Sequence, residues 1–87
     1  MAVPEISRFY GIVIAMFHDE HGPPHFHAWH GEYKIRVMIE SGETRGRFPV
    51  HALYHVRAWA VIHRAQLLEN WRLLRANKPP RRIAPLE

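Results

Sequence analysis

The chain has 87 residues, of which 47% are hydrophobic and 23% are charged, and it contains no cysteine. This length indicates a single domain, 1–87, the composition excludes a globally disordered chain, and the lack of cysteine excludes disulfides and thiolate metal sites. The net charge of +4 is uneven, since residues 1–44 carry three cations and six acids and residues 45–87 carry nine cations and two acids. A basic half favours an anionic partner such as RNA, DNA or an acidic protein segment, although a solvated helix face with a basic tail gives the same count.

The first regular element is predicted in the apolar run RFYGIVIAMFH, residues 8–18. Its β-branched and aromatic residues occupy both alternating faces, which predicts one buried inner strand, and Gly11 predicts a bulge within it. The apolar part is too short to cross a bilayer and lacks the flanks of a signal peptide. We therefore expect a cytoplasmic protein without membrane contact.

A second strand is predicted from His25, after a double proline has turned the chain. The residues HFHAWH alternate, so that His25, His27 and Trp29 share one face of the strand. Gly31-Glu32 then predicts a type II′ hairpin turn into a third strand, YKIRVMI, with one buried and one wetter face. A short fourth strand or extended piece follows through RFP.

One long helix is predicted from about residue 49 to residue 77, because Pro49 suits the first helical position and nothing breaks the helix before Pro79. One apolar arc of this helix should face the sheet. That arc consists of Leu53, Val56, Ala60, His63, Leu67, Trp71 and Leu74. The fold class is therefore α+β: a small antiparallel sheet of three or four strands, about residues 8–48, one long C-terminal helix packed on one face, and an extended basic tail, 78–87, returning along the edge.

His25 and His27 are the candidate catalytic residues. Their rings leave one face of a strand, so they can address one phosphate, one proton path or one metal ion. With an arginine to hold the phosphate, two histidines can act as the acid and the base of metal-independent RNA cleavage, which is the activity we expect first if the protein is an enzyme. The other interpretation is structural, with both rings pinning the hairpin through hydrogen bonds to backbone carbonyls.

A zinc site at the same pair would need a third protein ligand. His18, His21, His63 and Glu20 are candidates for that ligand, but no second spaced motif supplies it. We therefore assign no metal and no cofactor from the sequence. His63, within the apolar arc, is expected to be a buried histidine with a hydrogen-bond partner.

The arginines of the C-terminal half are the candidate nucleic-acid or partner-binding residues. In a continuous helix Arg57, Arg64 and Arg75 lie on one arc beside the apolar arc. The predicted binding surface consists of Arg57, Arg64, Arg72, Arg75, Arg81 and Arg82. Such a surface binds RNA through its phosphates or docks an acidic partner protein.

Several segments together resemble one small bacterial family, catalogued as domain of unknown function 4160. The resemblance covers about residues 6–86 and is carried by ISRFYGIVIAMF, PPHFHA, GEYK, WAVIHRAQLLENW and IAPL. It implies a cytosolic protein whose gene neighbours that of a second small protein, an arrangement that suggests a toxin–antitoxin module. It supplies no catalytic residues, but His25 and His27 fall within its motif, whereas His18, His21 and His30 stand where similar proteins are expected to carry other residues.

These observations predict a small cytosolic bacterial protein, a toxin–antitoxin component that binds RNA or acts on it through a basic surface and the paired-histidine strand. The alternative is a non-enzymatic module that docks an acidic partner or a small antitoxin-like protein, with His25 and His27 structural. The sequence predicts no particular oligomeric state.

Overall fold

The computed structural model describes residues 4–87. Five strands precede two helices: β1 (Glu5–Phe9), β2 (Ile12–Ala15), β3 (His25–His30), β4 (Tyr33–Met38), β5 (Thr44–Arg47), α1 (Val50–Ile62) and α2 (Arg64–Arg75). The strands form one antiparallel meander in the order β1-β2-β3-β4-β5. The α+β class is confirmed, whereas the expected three or four strands and single helix were too few. Between residues 4 and 87 there is no helix with the length and apolar content that a bilayer crossing needs.

The additional strand comes from the apolar run 8–18, which the structure divides into the end of β1, the whole of β2 and the start of a loop. Tyr10 and Gly11, with φ of 51° and 74°, connect Phe9 to its partner Ile12. Positive φ at both central residues is what a type I′ hairpin turn requires, and glycine adopts it without steric cost. Gly11 therefore makes a turn, and the expected bulge at this position was wrong.

The β3–β4 hairpin has the predicted register. His30 faces Tyr33 across Gly31-Glu32, and Gly31 has φ of 60°, as the first central residue of a type II′ turn does. One face of the hairpin carries the buried side chains of Phe26, Ala28, Ile35 and Val37. The other face carries His25, His27, Trp29, Lys34, Arg36 and Met38. The alternation of both strands is thus confirmed.

The hydrophobic core lies between α1 and the sheet face that carries Phe26. Trp59 of α1 is fully buried, and its ring centroid lies 5.4 Å from that of Phe9 and 5.8 Å from that of Phe26. Val56, three residues earlier on α1, is also fully buried. Each such large apolar side chain contributes about 1.5–3 kcal/mol on burial, so this contact determines which face of the sheet is covered.

The single helix predicted for residues 49–77 is divided at His63. The backbone there has φ of −109° and ψ of 25°, outside helical values, and the ring is half-buried, with Nδ1 2.5 Å from Gln66 Oε1. Neither proline nor glycine occurs at this point, so the sequence contains no breaker signal. Both helices contribute to the core, α1 through Val56 and Trp59 and α2 through Leu67 and Leu74. Trp71 of α2 in addition packs against His25, with ring centroids 5.1 Å apart.

Residues 78–87 contact the edge strand β1 and helix α2. The N–H of Ile83 donates to the carbonyl of Ile6 in β1 at 2.8 Å, and Ile83 is buried. The buried side chain of Asn70 exchanges two hydrogen bonds with the backbone of Arg81, both at 2.8 Å. The tail is therefore a packed part of the domain.

Candidate functional site

The candidate site lies at one end of the sheet, under the loop that joins β2 to β3. Arg75 of α2 holds this loop, because its guanidinium donates to the carbonyls of Phe17 (2.9 Å), His18 and Glu20. The same guanidinium lies over the ring of Trp71, 4.2 Å from the centroid. A planar guanidinium presents several donors in fixed directions, so one side chain sets the path of the loop that carries Glu20.

Glu20 places its carboxylate against both candidate catalytic histidines. Its Oε1 is 3.0 Å from Nε2 of His25 and 2.9 Å from Nε2 of His27, and its Oε2 is also 2.9 Å from Nε2 of His27. One ligand atom from each of the three residues lies within 4.8 Å of the other two. Of the four candidate third ligands, Glu20 is the one that joins the histidine pair in this group.

Both rings are buried, although they lie on the sheet face opposite α1. His25 is 3% exposed and His27 is 7% exposed. His25 packs against Trp71 of α2, and His27 packs against Phe17 of the loop with ring centroids 5.1 Å apart in each pair. The side chain of Glu20 is 26% exposed, so solvent reaches the group through the carboxylate.

His25 has both ring nitrogens engaged. Its Nδ1 is 2.9 Å from the carbonyl oxygen of Pro23, and since a carbonyl can only accept, Nδ1 carries the proton of that hydrogen bond. In a neutral His25 the lone pair of Nε2 then points at Oε1 of Glu20, which is also an acceptor. This contact is favourable only with a cation, a proton or a metal ion, between the two atoms.

His27 differs from His25 because its Nδ1 is buried without a hydrogen-bond partner in residues 4–87. Removal of the ring from water lowers the pKa of His27, and this outweighs the hydrogen bond and charge of Glu20, which raise it. Coulombic interactions with His25 and Lys34 lower the same pKa further. The neutral form of His27 is therefore favoured in the folded protein.

The contacts of His25 and His27 with Glu20 fit structural bracing better than acid–base catalysis. Acid–base cleavage needs each ring within reach of a different proton on the substrate, whereas the Nε2 atoms of His25 and His27 both contact the one carboxylate of Glu20. Bracing describes His25 well, since it ties the loop at Pro23 to Glu20. Catalysis by the pair stays a prediction.

Three of the six predicted binding arginines engage groups of the protein itself. Arg75 holds the β2–β3 loop. Arg72 pairs with Glu69, and Arg82 pairs with Glu5 at 3.0 Å. Their charges are therefore partly compensated within the domain.

The other three arginines lie beside two separate clefts. Arg57 and Arg64 line a cleft of about 610 Å³ between α1 and the β4–β5 turn, to which Glu40 and Glu43 also contribute. Arg81 lines another cleft, of about 270 Å³, beside the tail. The structure does not combine the six arginines into one continuous basic surface, and their role in binding stays a prediction.

A different basic surface, missed by the sequence interpretation, lies on the sheet face opposite α1. Lys34 of β4 directly faces Arg47 of β5, and Arg36 directly faces Arg45. All four side chains are exposed, and none takes part in an ion pair with any residue in the range 4–87. We refer to Lys34, Arg36, Arg45 and Arg47 as the basic sheet face.

The basic sheet face borders an aromatic ring and the histidine site. Trp29 is half-buried beside it, with Nζ of Lys34 5.3 Å from the ring centroid, a cation–π distance. A shallow cleft of about 190 Å³ is lined by His27 together with Lys34, Arg36 and Arg45. Cations, an aromatic ring and a buried imidazole thus meet on one surface.

Comparison with known proteins matches residues 11–72 to one family, described as "Domain of unknown function (DUF4160)". No curated protein and no solved structure matches the chain significantly. The matched segment contains Glu20, both site histidines and the basic sheet face, whereas Arg75 lies just beyond it.

Replacing Arg75 with lysine should loosen the loop that carries Glu20. Arg75 reaches the three carbonyls from two guanidinium nitrogens, whereas lysine has one nitrogen and no planar group to stack on Trp71. We expect the free energy of unfolding to fall by about 1–2 kcal/mol and the loop amides to exchange faster with solvent. Urea denaturation and NMR hydrogen exchange measure the two effects. The matched control is Arg72→Lys, an exposed arginine paired with Glu69, which should change stability by less than about 0.5 kcal/mol. Equal effects of both substitutions would contradict the role of Arg75.

His27 should make the protein less stable in mild acid. Its pKa in the folded state is lowered from the ordinary value of 6.5, so between the two pKa values the unfolded chain binds more protons than the folded chain. The stabilising contribution of neutral His27 is complete above pH 6.5 and is lost as the pH falls towards the folded-state pKa. Urea denaturation on both sides of this value should show a decline that His27→Gln reduces and that His51→Gln, at an exposed position of α1, does not. An identical decline in wild type and His27→Gln would refute this attribution.

Proposed function

The chain belongs to the family described as domain of unknown function DUF4160, and from the basic sheet face we propose that it binds single-stranded RNA. In this proposal the phosphates contact the four cations and one base stacks on Trp29. The proposed cellular role is that of a toxin–antitoxin component in the bacterial cytoplasm, as the family resemblance implies.

The pairing of like charges between β4 and β5 is the observation that carries the proposal. Lys34 lies directly opposite Arg47, and Arg36 directly opposite Arg45, and like charges in these positions destabilise a sheet. No acid in residues 4–87 forms an ion pair with any of the four. A ligand with several negative charges removes this repulsion and gains from counterion release, so a polyanion is the ligand best matched to this face.

Trp29 favours a nucleic acid over other polyanions. Its half-buried ring lies next to Lys34 on the same face, and stacking of a base on an aromatic ring contributes about 1–3 kcal/mol. Single-stranded RNA presents unstacked bases, and sheet-based RNA-binding modules recognise them with aromatic rings on an open sheet. The similarity to those modules is an aromatic ring on an open, basic sheet face.

Binding, and not cleavage, is the function proposed here. His25 and His27 both contact the carboxylate of Glu20 through Nε2, whereas acid–base cleavage needs each ring within reach of a different proton of the substrate. RNA binding through the basic sheet face does not require either histidine to transfer a proton.

The double variant Arg36→Ala/Arg45→Ala should lose RNA affinity without losing stability. Removing two facing like charges should leave the free energy of unfolding unchanged or raise it by up to about 1 kcal/mol. Removing two phosphate contacts should reduce the slope of log K against log salt by about 1.4, at about 0.7 for each contact with a single strand. Fluorescence anisotropy with an unstructured oligoribonucleotide over a salt series measures the slope, and urea denaturation measures the stability.

The control variant Arg57→Ala/Arg64→Ala removes the same charge from the cleft beside α1 and should bind RNA nearly as well as the wild type. If this control loses as much RNA affinity as Arg36→Ala/Arg45→Ala, RNA binding depends on net charge or on the predicted helix surface and not on the basic sheet face. Heparin should compete for binding but should not quench tryptophan fluorescence as RNA does. No RNA binding at low salt, together with no growth inhibition on expression, would refute the proposal.

A second candidate function, docking of a partner protein, is favoured by the outer side of α1. Val50, Tyr54 and Val61 are 80%, 71% and 77% exposed, and exposed apolar groups of this kind mark interaction surfaces. Arg57 continues the same stripe, since positions 50, 54, 57 and 61 follow helical spacing. The surface fits a partner that presents apolar side chains and a carboxylate.

The double variant Tyr54→Ser/Val61→Ser tests docking. The family resemblance implies that a small protein is encoded beside this chain, and we expect the two to co-purify. The variant should bind that protein at least tenfold more weakly, since each lost hot-spot side chain costs more than about 1 kcal/mol. Tyr33→Ser, an exposed tyrosine of β4, is the control and should bind normally. Self-association of the wild type that the double variant abolishes would identify a second copy of the chain as the occupant. Unchanged partner binding by the double variant would exclude this surface.

A further inference from the structure

We propose that Glu20, His25 and His27 form a binding site for a divalent transition-metal ion, for which Zn²⁺ is the appropriate probe. Two imidazole nitrogens and one carboxylate oxygen are a donor set that zinc uses with water as its fourth ligand. The three donors come from the β2–β3 loop and from β3. This site does not depend on RNA binding.

The distances between the donor atoms are close to those of a tetrahedral site. With metal–ligand bonds of about 2.0–2.1 Å, neighbouring ligand atoms lie about 3.3 Å apart. The two imidazole nitrogens lie 2.9 and 3.0 Å from Oε1 of Glu20, and all three ligand atoms lie within 4.8 Å of one another. Both nitrogen–oxygen distances are therefore within about 0.4 Å of the tetrahedral spacing.

The orientation of His25 is the strongest reason to expect a cation between these groups. Nδ1–H donates to the carbonyl of Pro23 at 2.9 Å, which directs the lone pair of Nε2 at Glu20. Metal-binding histidines characteristically donate their second N–H to a carbonyl or carboxylate in this way. A metal ion between Nε2 and the carboxylate satisfies both acceptors at once.

The site is also held in place before any metal binds. Arg75 binds the backbone carbonyl of Glu20 and two others in the loop. The carboxylate of Glu20 forms ion pairs only with His25 and His27 among residues 4–87. No lysine or arginine in that range competes with a metal ion for the carboxylate.

Two features limit the affinity that we expect. Coordination through Nε2 leaves Nδ1–H of His27 without an acceptor in residues 4–87, and loss of such an outer partner typically weakens binding by about 10–100-fold. Arg36 directly faces His27 across β3 and β4, and its charge repels a metal ion. Binding should therefore be stoichiometric but weaker than in structural zinc sites.

Titration of the untagged full chain with ZnCl₂ by calorimetry should show one equivalent of bound metal, and CoCl₂ should give the visible absorption of a tetrahedral site. Glu20→Gln removes the anionic ligand and should lower zinc affinity by more than about 100-fold. This exceeds the loss of about 10–100-fold that follows when a group hydrogen-bonded to a metal ligand is removed. The control His18→Ala/His21→Ala removes two exposed histidines of the same loop and should bind zinc as the wild type does.

A second readout uses the unmodified chain, so that it does not depend on the folding of Glu20→Gln. Zinc should shift the imidazole nitrogen NMR signals of His25 and His27 and leave those of the exposed His51 unchanged. Loss of zinc binding in the His18→Ala/His21→Ala variant would assign the metal to surface histidines and overturn the proposal. Unshifted signals of His25 and His27 would show that a proton alone lies between the rings and Glu20, and would overturn it equally.

Discussion

A single carboxylate, that of Glu20, lies between two imidazole rings, and the surrounding structure keeps it there. Arg75 of α2 fixes the loop that carries it, and His25 is braced from the other side by the carbonyl of Pro23. Because of this contact, the loop covers one end of the sheet face opposite α1. His25 and His27 are consequently buried on a face that alternation alone would leave open to solvent.

The rest of that face stays open, and this division explains the distribution of charge in the domain. Trp59 of α1 packs against Phe26 in the core, so α1 covers one side of the sheet. The other side keeps Lys34 and Arg36 on β4 facing two arginines of β5. The fold gains nothing from these facing like charges, which is why we propose this face as the binding surface.

Much of this arrangement could be predicted from residues with a clear local period. Alternation placed His25 and His27 on one face, and Gly31 marked the hairpin turn correctly. Glu20 could only be named as one of several third ligands, because it lies in a loop whose path depends on Arg75, 55 residues away. The division at His63 left no local signal, since neither proline nor glycine is present there.

The basic sheet face escaped prediction for a different reason. Arg45 and Arg47 alternate within β5 just as Lys34 and Arg36 alternate within β4, but the facing register of two strands depends on the turn between them. The arginines at helical spacing formed the more conspicuous pattern, although Arg75 is engaged by the loop. Some of the arginines that the sequence suggested for binding therefore form contacts within the protein instead.

The RNA-binding surface that we propose is the open side of the sheet and not the arginines of the helices. Chemical-shift mapping of the isotopically labelled chain with an unstructured oligoribonucleotide tests it directly. We expect the perturbed amides and the indole signal to belong to Trp29, Lys34, Arg36, Arg45 and Arg47, with the α1 residues Tyr54 and Arg57 unchanged. Perturbations confined to α1 and the tail, or none at low salt, would contradict it.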